Sequence, residues 1–301
     1  MIVMVFFYNH VFIDVARTVV FALRERGFEA ELVDCDEFAD LLERDNTFIL
    51  FGMNVYHGQL PKHYVVYQLE QHSSKWFNDR YFDVLRGAIT VWDYSLVNIA
   101  RLMEHGILAE YVPIRFNEAL LHDSIELDRD GQSIGILMNR RAAKMKKCGM
   151  RRFHKAIVTD ADCIAFCYSI SDHRRNTIDK IGTTVELAVH RNIWGKDRVA
   201  VIRGAKMAVN IRYYPVGILE VVRLSYLIAN RIPVISEYSS DSELNREYES
   251  YGVILTDNIA EECAKLIMLS DMELKRLADQ TFAKFAGNRF SLPECLKCLT
   301  R

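Results

Sequence analysis

At 301 residues the chain is long enough for two domains of ordinary size. Half of it is hydrophobic and 26% is charged, a globular composition. A net charge of −2 excludes a global field that would recruit nucleic acid or a membrane surface. The apolar opening Met1 to Phe7 lacks the basic flank and cleavage site of a signal peptide, and no apolar run reaches transmembrane length. The seven cysteines are odd in number and scattered, which suits free buried thiols in a reducing, cytoplasmic compartment. Cys295 and Cys298 have C-x-x-C spacing, but no second pair or histidine partner accompanies them, so no zinc site is expected.

Residues 1–115 alternate strand and helix. IVMVFFY reads as a first strand, Asp14 to Arg26 as an amphipathic helix closed by Gly27, and EAELVDCD as a second strand. After a short helix from Phe38 to Glu43 come the strands TFILFGM and HYVVYQLE. A helix over Asn78 to Arg86, the strand AITVWDY, a helix from Leu96 to His105 capped by Ser95, and the strand AEYVPI complete this half. Residues 116–131 are polar and acidic and read as a linker. The alternation restarts with SIGILM, a basic helix, ADCIAFCY, a helix near 174–180, VELAVH, a helix from Lys196 to Arg203, and KMAVNI. An apolar helix containing Glu220, then PVISE, GVILT and helices from Ile259 onward fill the rest, to residue 289. Residues 290–301 are expected to pack back on the first half. Apolar strands alternating with helices predict α/β architecture: two Rossmann-like domains facing across a cleft.

Several side chains stand where chemistry is carried. Asn139, Arg140 and Arg141 join a strand to a helix, where free N–H groups and guanidinium forks suit phosphate. The basic run continues to residue 155, so a solvated basic face is the alternative. Glu220 follows Gly217 by three residues, and a carboxylate there can accept both hydroxyls of a ribose. The alternative is a first-turn glutamate paired with Arg223. Glu237 ends the next strand, facing the cleft or capping the strand end. Glu70, Gln71 and His72 follow the fourth strand and would face the cleft from the other side, with Glu70 or His72 as a general base. His10 has a similar position after the first strand. Asp34-Cys-Asp36, Asp128-Arg-Asp130 and Asp160-Ala-Asp162 are short acidic pairs of a kind common by chance, and no metal site is expected from them. The motifs of dehydrogenases, P-loop NTPases, serine hydrolases and zincins are missing from the sequence.

In sum the chain resembles the GT-B class of nucleotide-sugar-dependent glycosyltransferases, in a compact, group 1-like form. Ala208 to Asp257 resembles the donor-binding region of that class: strand, glutamate-bearing helix, the turn and Pro-Val strand Ala229-Asn-Arg-Ile-Pro-Val234, then Gly252-Val253. Ile136-Leu-Met-Asn-Arg-Arg141 is similar to its diphosphate loop, and Tyr67 to Gln71 and Val91 to Ser95 to parts of its acceptor domain. The resemblance implies a nucleotide-sugar donor of UDP or GDP type and a saccharide or other hydroxyl acceptor, with no cofactor and no metal. It implies Glu220 on the ribose and Asn139, Arg140 and Arg141 near the diphosphate, with Tyr213 and Gly217 in the same donor loop. Many members carry a second glutamate eight positions before the ribose glutamate; here that position is Arg212, expected to touch sugar or phosphate. A nucleotide-sugar epimerase or hydrolase of the same fold, or a non-enzymatic anion-binding module using residues 140–155, are the other readings.

Overall fold

The computed structural model describes residues 3–8, 10–34, 37–42, 46–121, 161–167 and 169–293. The first half is built on six parallel strands in the order β2-β1-β3-β4-β5-β6. They are β1 (Val3–Phe7), β2 (Ala30–Val33), β3 (Thr47–Phe51), β4 (Tyr64–Gln68), β5 (Thr90–Asp93) and β6 (Ala109–Tyr111). Strands β1, β3 and β4 are buried along their whole length, as expected of a sheet covered on both faces. The intervening helices are α1 (Ile13–Glu25), α2 (Phe38–Leu41), α3 (Asp79–Arg86) and α4 (Leu96–Glu104). Side chains of Asn78 and Ser95 cap α3 and α4 by accepting from the amides of Tyr81 and Asn98.

The second half repeats the plan on five described strands in the order β11-β10-β9-β7-β8. They are β7 (Ala161–Phe166), β8 (Leu187–His190), β9 (Ala205–Asn210), β10 (Val234–Glu237) and β11 (Ile254–Thr256), again all parallel. Its helices are α5 (Asp172–Gly182), α6 (Gly195–Gly204), α7 (Val221–Ala229), α8 (Ser242–Tyr251), α9 (Ile259–Leu266) and α10 (Asp271–Ala286). Cys163, Cys167 and Cys263 are free and buried within this half. Among the described residues no helix is long and apolar enough to cross a membrane.

Two elements depart from expectation. Helix α8 was not expected between its flanking strands, yet Asp241 caps it and Leu244, Tyr248 and Tyr251 form its buried stripe. Residues 116–121, placed in the linker, are packed: Phe116, Asn117 and Leu120 are buried, and Asn230 donates to the Leu120 carbonyl at 2.8 Å. Phe116 also exchanges backbone hydrogen bonds with Asn288 and Phe290. Beyond that point Arg26, at the end of α1, donates to the carbonyls of Leu292 and Pro293. SIGILM, the basic helix and Cys295 to Cys298 lie outside the described residues.

The halves touch through specific polar contacts. Arg198 of α6 grips Asp14 of α1, Ser95 donates to Asp241, and Arg115 pairs with Glu247. Gly217 meets Gln71 so closely that an added Cβ would lie 2.4 Å from the Gln71 amide oxygen. That oxygen accepts the Ile218 N–H at 3.0 Å, so the absent side chain is what lets the Gln71 amide reach this backbone.

Candidate active-site cleft

A cavity of about 210 Å³ lies between the halves, at the carboxyl ends of β4, β5, β7 and β8. Its first-half wall includes Phe12, Asp14, Leu69, Gln71 and Tyr94; its second-half wall includes Phe166, Cys167, His190, Trp194, Arg198 and the stretch from Leu219 to Arg223. Gly52 helps shape the first wall, because its φ of +77° turns the chain after β3 under the Phe12 ring, 3.1 Å from where a Cβ would stand.

Glu220 sits at the residue before α7 rather than inside its first turn, and its carboxylate does not cap the helix. It accepts from Arg174 Nη2 at 2.5 Å and from the Tyr213 N–H at 2.9 Å, and pairs with Arg223 Nη1 at 2.5 Å. The i,i+3 pair with Arg223 is therefore formed, and the carboxylate still lines the cavity. Burial works to raise the Glu220 pKa, but the two guanidiniums and the Tyr213 amide outweigh it and hold the carboxyl below its ordinary value. Arg174 is 3% exposed and also donates to the carbonyls of Ile211 and Ser169, which fixes the loop that carries Glu220.

Glu237, at the end of β10, is buried. It accepts from the Arg212 N–H at 2.8 Å and from His173 Nε2 at 2.9 Å, with Arg212 Nε 3.6 Å away. Tyr213 accepts from the Ser171 hydroxyl through its carbonyl, and its ring receives Arg174 at 5.4 Å. Three guanidiniums thus face two carboxylates, Arg174 and Arg223 on Glu220 and Arg212 on Glu237, the two sets joined through the adjacent Arg212 and Tyr213 amides.

Across the cleft Glu70 follows β4. Its Oε2 accepts from Asn54 Nδ2 at 2.6 Å and its Oε1 from the Gln71 N–H at 3.1 Å. Burial raises its pKa against those donors and the Ser74 hydroxyl, and Glu220 adds to the rise, so the two carboxylates sense each other across the cleft. A buried platform holds this loop. Gln68 accepts the Glu70 N–H and donates to both the Glu70 carbonyl and Asp93, while Asn98 donates to the same carbonyl and to Asp93. His72 is oriented by Asn98, which accepts its N–H at 3.1 Å.

His10 does not line the cavity. It opens a short 3-10 turn, and its ring packs 5.8 Å from Phe7 and 6.5 Å from Trp194; its neighbours Val11 and Phe12 face the cavity instead. Asn139, Arg140 and Arg141 lie outside the described residues. Asp162, of one acidic pair, is ion-paired with Lys206 at 3.0 Å. Among the described residues no group of three or more His, Cys, Asp or Glu side chains is arranged to hold a metal ion.

No protein-family model matches the sequence. An uncharacterized protein of Acanthamoeba polyphaga mimivirus is 23% identical over 232 residues, 74% of this chain. The match spans 64% of that relative's length. Among solved structures, Anabaena HepE in complex with UDP and glucose superposes with a TM-score of 0.54, 11% identity, and coverage of 97% of this chain and 96% of that one. WaaG, a glycosyltransferase involved in lipopolysaccharide biosynthesis, gives a TM-score of 0.54 at 11% identity over 98% of both chains. The chain has the GT-B fold. Both GT-B halves are covered by these superpositions, and at such identity they speak to the fold and leave the chemistry to the site.

Sequence reading missed Arg174, His173, Gln71's contact with Ile218, and Tyr94. Ser171 capping a helix directly after β7 was the available signal for the first two.

Proposed function

We propose that this protein is a glycosyltransferase that moves a sugar from a nucleotide-sugar donor of UDP or GDP type to a saccharide or other hydroxyl acceptor. One observation carries the reading: Glu220, an ionised carboxylate on the cavity wall of a GT-B cleft, is held by Arg174 and Arg223 at the mouth of α7. In that reading Glu220 accepts the ribose hydroxyls, whose neutral polar edge suits a carboxylate already satisfied by two cations. The second half binds the donor and the first admits the acceptor.

Arg212 supports a metal-independent route. With Arg174, Arg212 and Arg223 against Glu220 and Glu237, the cluster carries one surplus positive charge when His173 is neutral. A fixed guanidinium stabilises a departing diphosphate without cost of reorganisation. Arg212, Tyr213, Gly217 and Glu237 then form the donor loop and its support, and Asn139, Arg140 and Arg141 add phosphate contacts. Glu70 is the favoured general base, since its raised pKa suits proton acceptance from a hydroxyl, with His72 beside it.

The test is release of nucleotide from UDP-glucose and GDP-mannose with and without added saccharides. A transferase releases nucleotide faster when an acceptor is present. Equal release in both conditions points to a hydrolase, and salt-sensitive polyanion binding with no nucleotide response points to the anion-binding module.

A further inference from the structure

Tyr94 follows β5 and stands on the cavity wall at the seam between the halves. It is only 3% exposed. No hydrogen bond engages its hydroxyl among the described residues. Two other groups beside the cavity are also unpartnered, Nε2 of His190 and Nε of Arg198, but both atoms are sealed from open space, and the Tyr94 hydroxyl is not. A phenol buried in this way ordinarily finds a partner. Here the open side is the cavity.

Its electrostatic surroundings say what kind of partner. Burial, then the charges of Asp93, Glu70, Glu220 and Asp241, raise the Tyr94 pKa well above its ordinary value, so the phenol keeps its proton and acts as a donor. Glu70 and Asp93 belong to Tyr94's own half, and Glu220 is already held by Arg174 and Arg223. The cations that line the cavity, Arg198 and Arg223, belong to the other half. A ligand with a negative end and a neutral hydroxylated end therefore seats the neutral end at Tyr94.

We propose that the Tyr94 hydroxyl is a ligand contact that donates a hydrogen bond to an oxygen of the neutral sugar group, and not to the diphosphate, of the molecule held in this cavity. The proposal rests on the nucleotide-sugar reading for the ligand's identity. It makes Tyr94 a determinant of sugar recognition, separate from Glu220 and the arginines.

Tyr94→Phe removes one hydroxyl and keeps the ring in the core, so the fold should survive. Calorimetry with UDP and with UDP-glucose is the direct comparison. The variant should bind UDP as the parent does and UDP-glucose about five- to tenfold more weakly, the scale of one neutral hydrogen bond. Tyrosine labelled with ¹³C at Cζ supplies a second readout, the Tyr94 signal being the one absent in Tyr94→Phe. That signal should move with UDP-glucose and stay nearly still with UDP. If the parent binds neither nucleotide, the glycosyltransferase reading has failed; a Tyr94 signal that still moves with glucose or maltose then upholds the contact by itself. A Tyr94 signal unmoved by bound UDP-glucose, or by every probe, overturns it, as does equal weakening of UDP and UDP-glucose in the variant.

Discussion

Arg198 holds Asp14 through both terminal nitrogens, Nη1 to Oδ2 and Nη2 to Oδ1, each at 2.8 Å, and the pair joins one half of the molecule to the other. Both side chains are buried, and the guanidinium lies over the Tyr226 ring at 3.5 Å. Removing one partner strands the other charge. Asp14→Asn is expected to cost about 3–5 kcal/mol, while Asp14→Leu with Arg198→Met together should cost far less, because the Coulombic gain of such a pair only offsets its desolvation. Urea unfolding of the three variants checks both parts.

The Gly217 backbone meets the Gln71 side chain across the cleft wall. Gly217→Ala forces its new methyl against the Gln71 amide oxygen. A loss of about 1–3 kcal/mol is expected from that overlap. In a Gln71→Ala background the same change should be nearly free, so a double-mutant cycle should give a coupling above about 0.5 kcal/mol. Purely additive values would show that the contact does not set the spacing.

Glu70 and Glu220 should titrate in opposite senses. The Glu220 pKa is depressed on folding, so the stability it contributes is present above its unfolded value near 4.5 and is lost as pH falls through the folded value. The Glu70 pKa is raised, so its contribution is present below the unfolded value and lost as pH rises through the folded value. Between about pH 3 and 7, Glu220→Gln should become more destabilising relative to the parent as pH rises, and Glu70→Gln less so. Urea midpoints at several pH values give both slopes, and parallel slopes would contradict the assignment.

Arg212, 3.6 Å from Glu237, is the guanidinium proposed to meet the diphosphate. Arg212→Ala should weaken UDP binding by about tenfold and flatten its salt dependence, with little change in affinity for uridine. Equal weakening of UDP and uridine would place Arg212 away from the phosphates.

Much of the fold was legible because buried parallel strands read as unbroken apolar runs. IVMVFFY, TFILFGM and HYVVYQLE each contain a strand of the structure, and KMAVNI covers all of β9 but its first residue. Helix α8 was hidden because its buried stripe is made of Leu244, Tyr248 and Tyr251 among seven polar or charged neighbours. The site was legible in outline only. Glu220 stood out as a carboxylate beside an apolar helix, but Arg174, its partner, is 46 residues away, and nothing local announces that pairing. His10 follows β1, as expected, yet the chain turns at once into a 3-10 turn and presents Val11 and Phe12 to the cavity. Tyr94 reads as an ordinary core aromatic, and only the placement of both sheets shows its hydroxyl at the seam.

The most direct test of nucleotide recognition is titration calorimetry of UDP and GDP into the parent and into Glu220→Gln, with the unliganded melting temperature of each recorded. Saturable binding of one nucleotide to the parent is expected, weakened at least tenfold in the variant at a temperature where both are folded. A parent that binds neither nucleotide, or a folded Glu220→Gln that binds as tightly as the parent, would contradict the role of Glu220 in holding the donor.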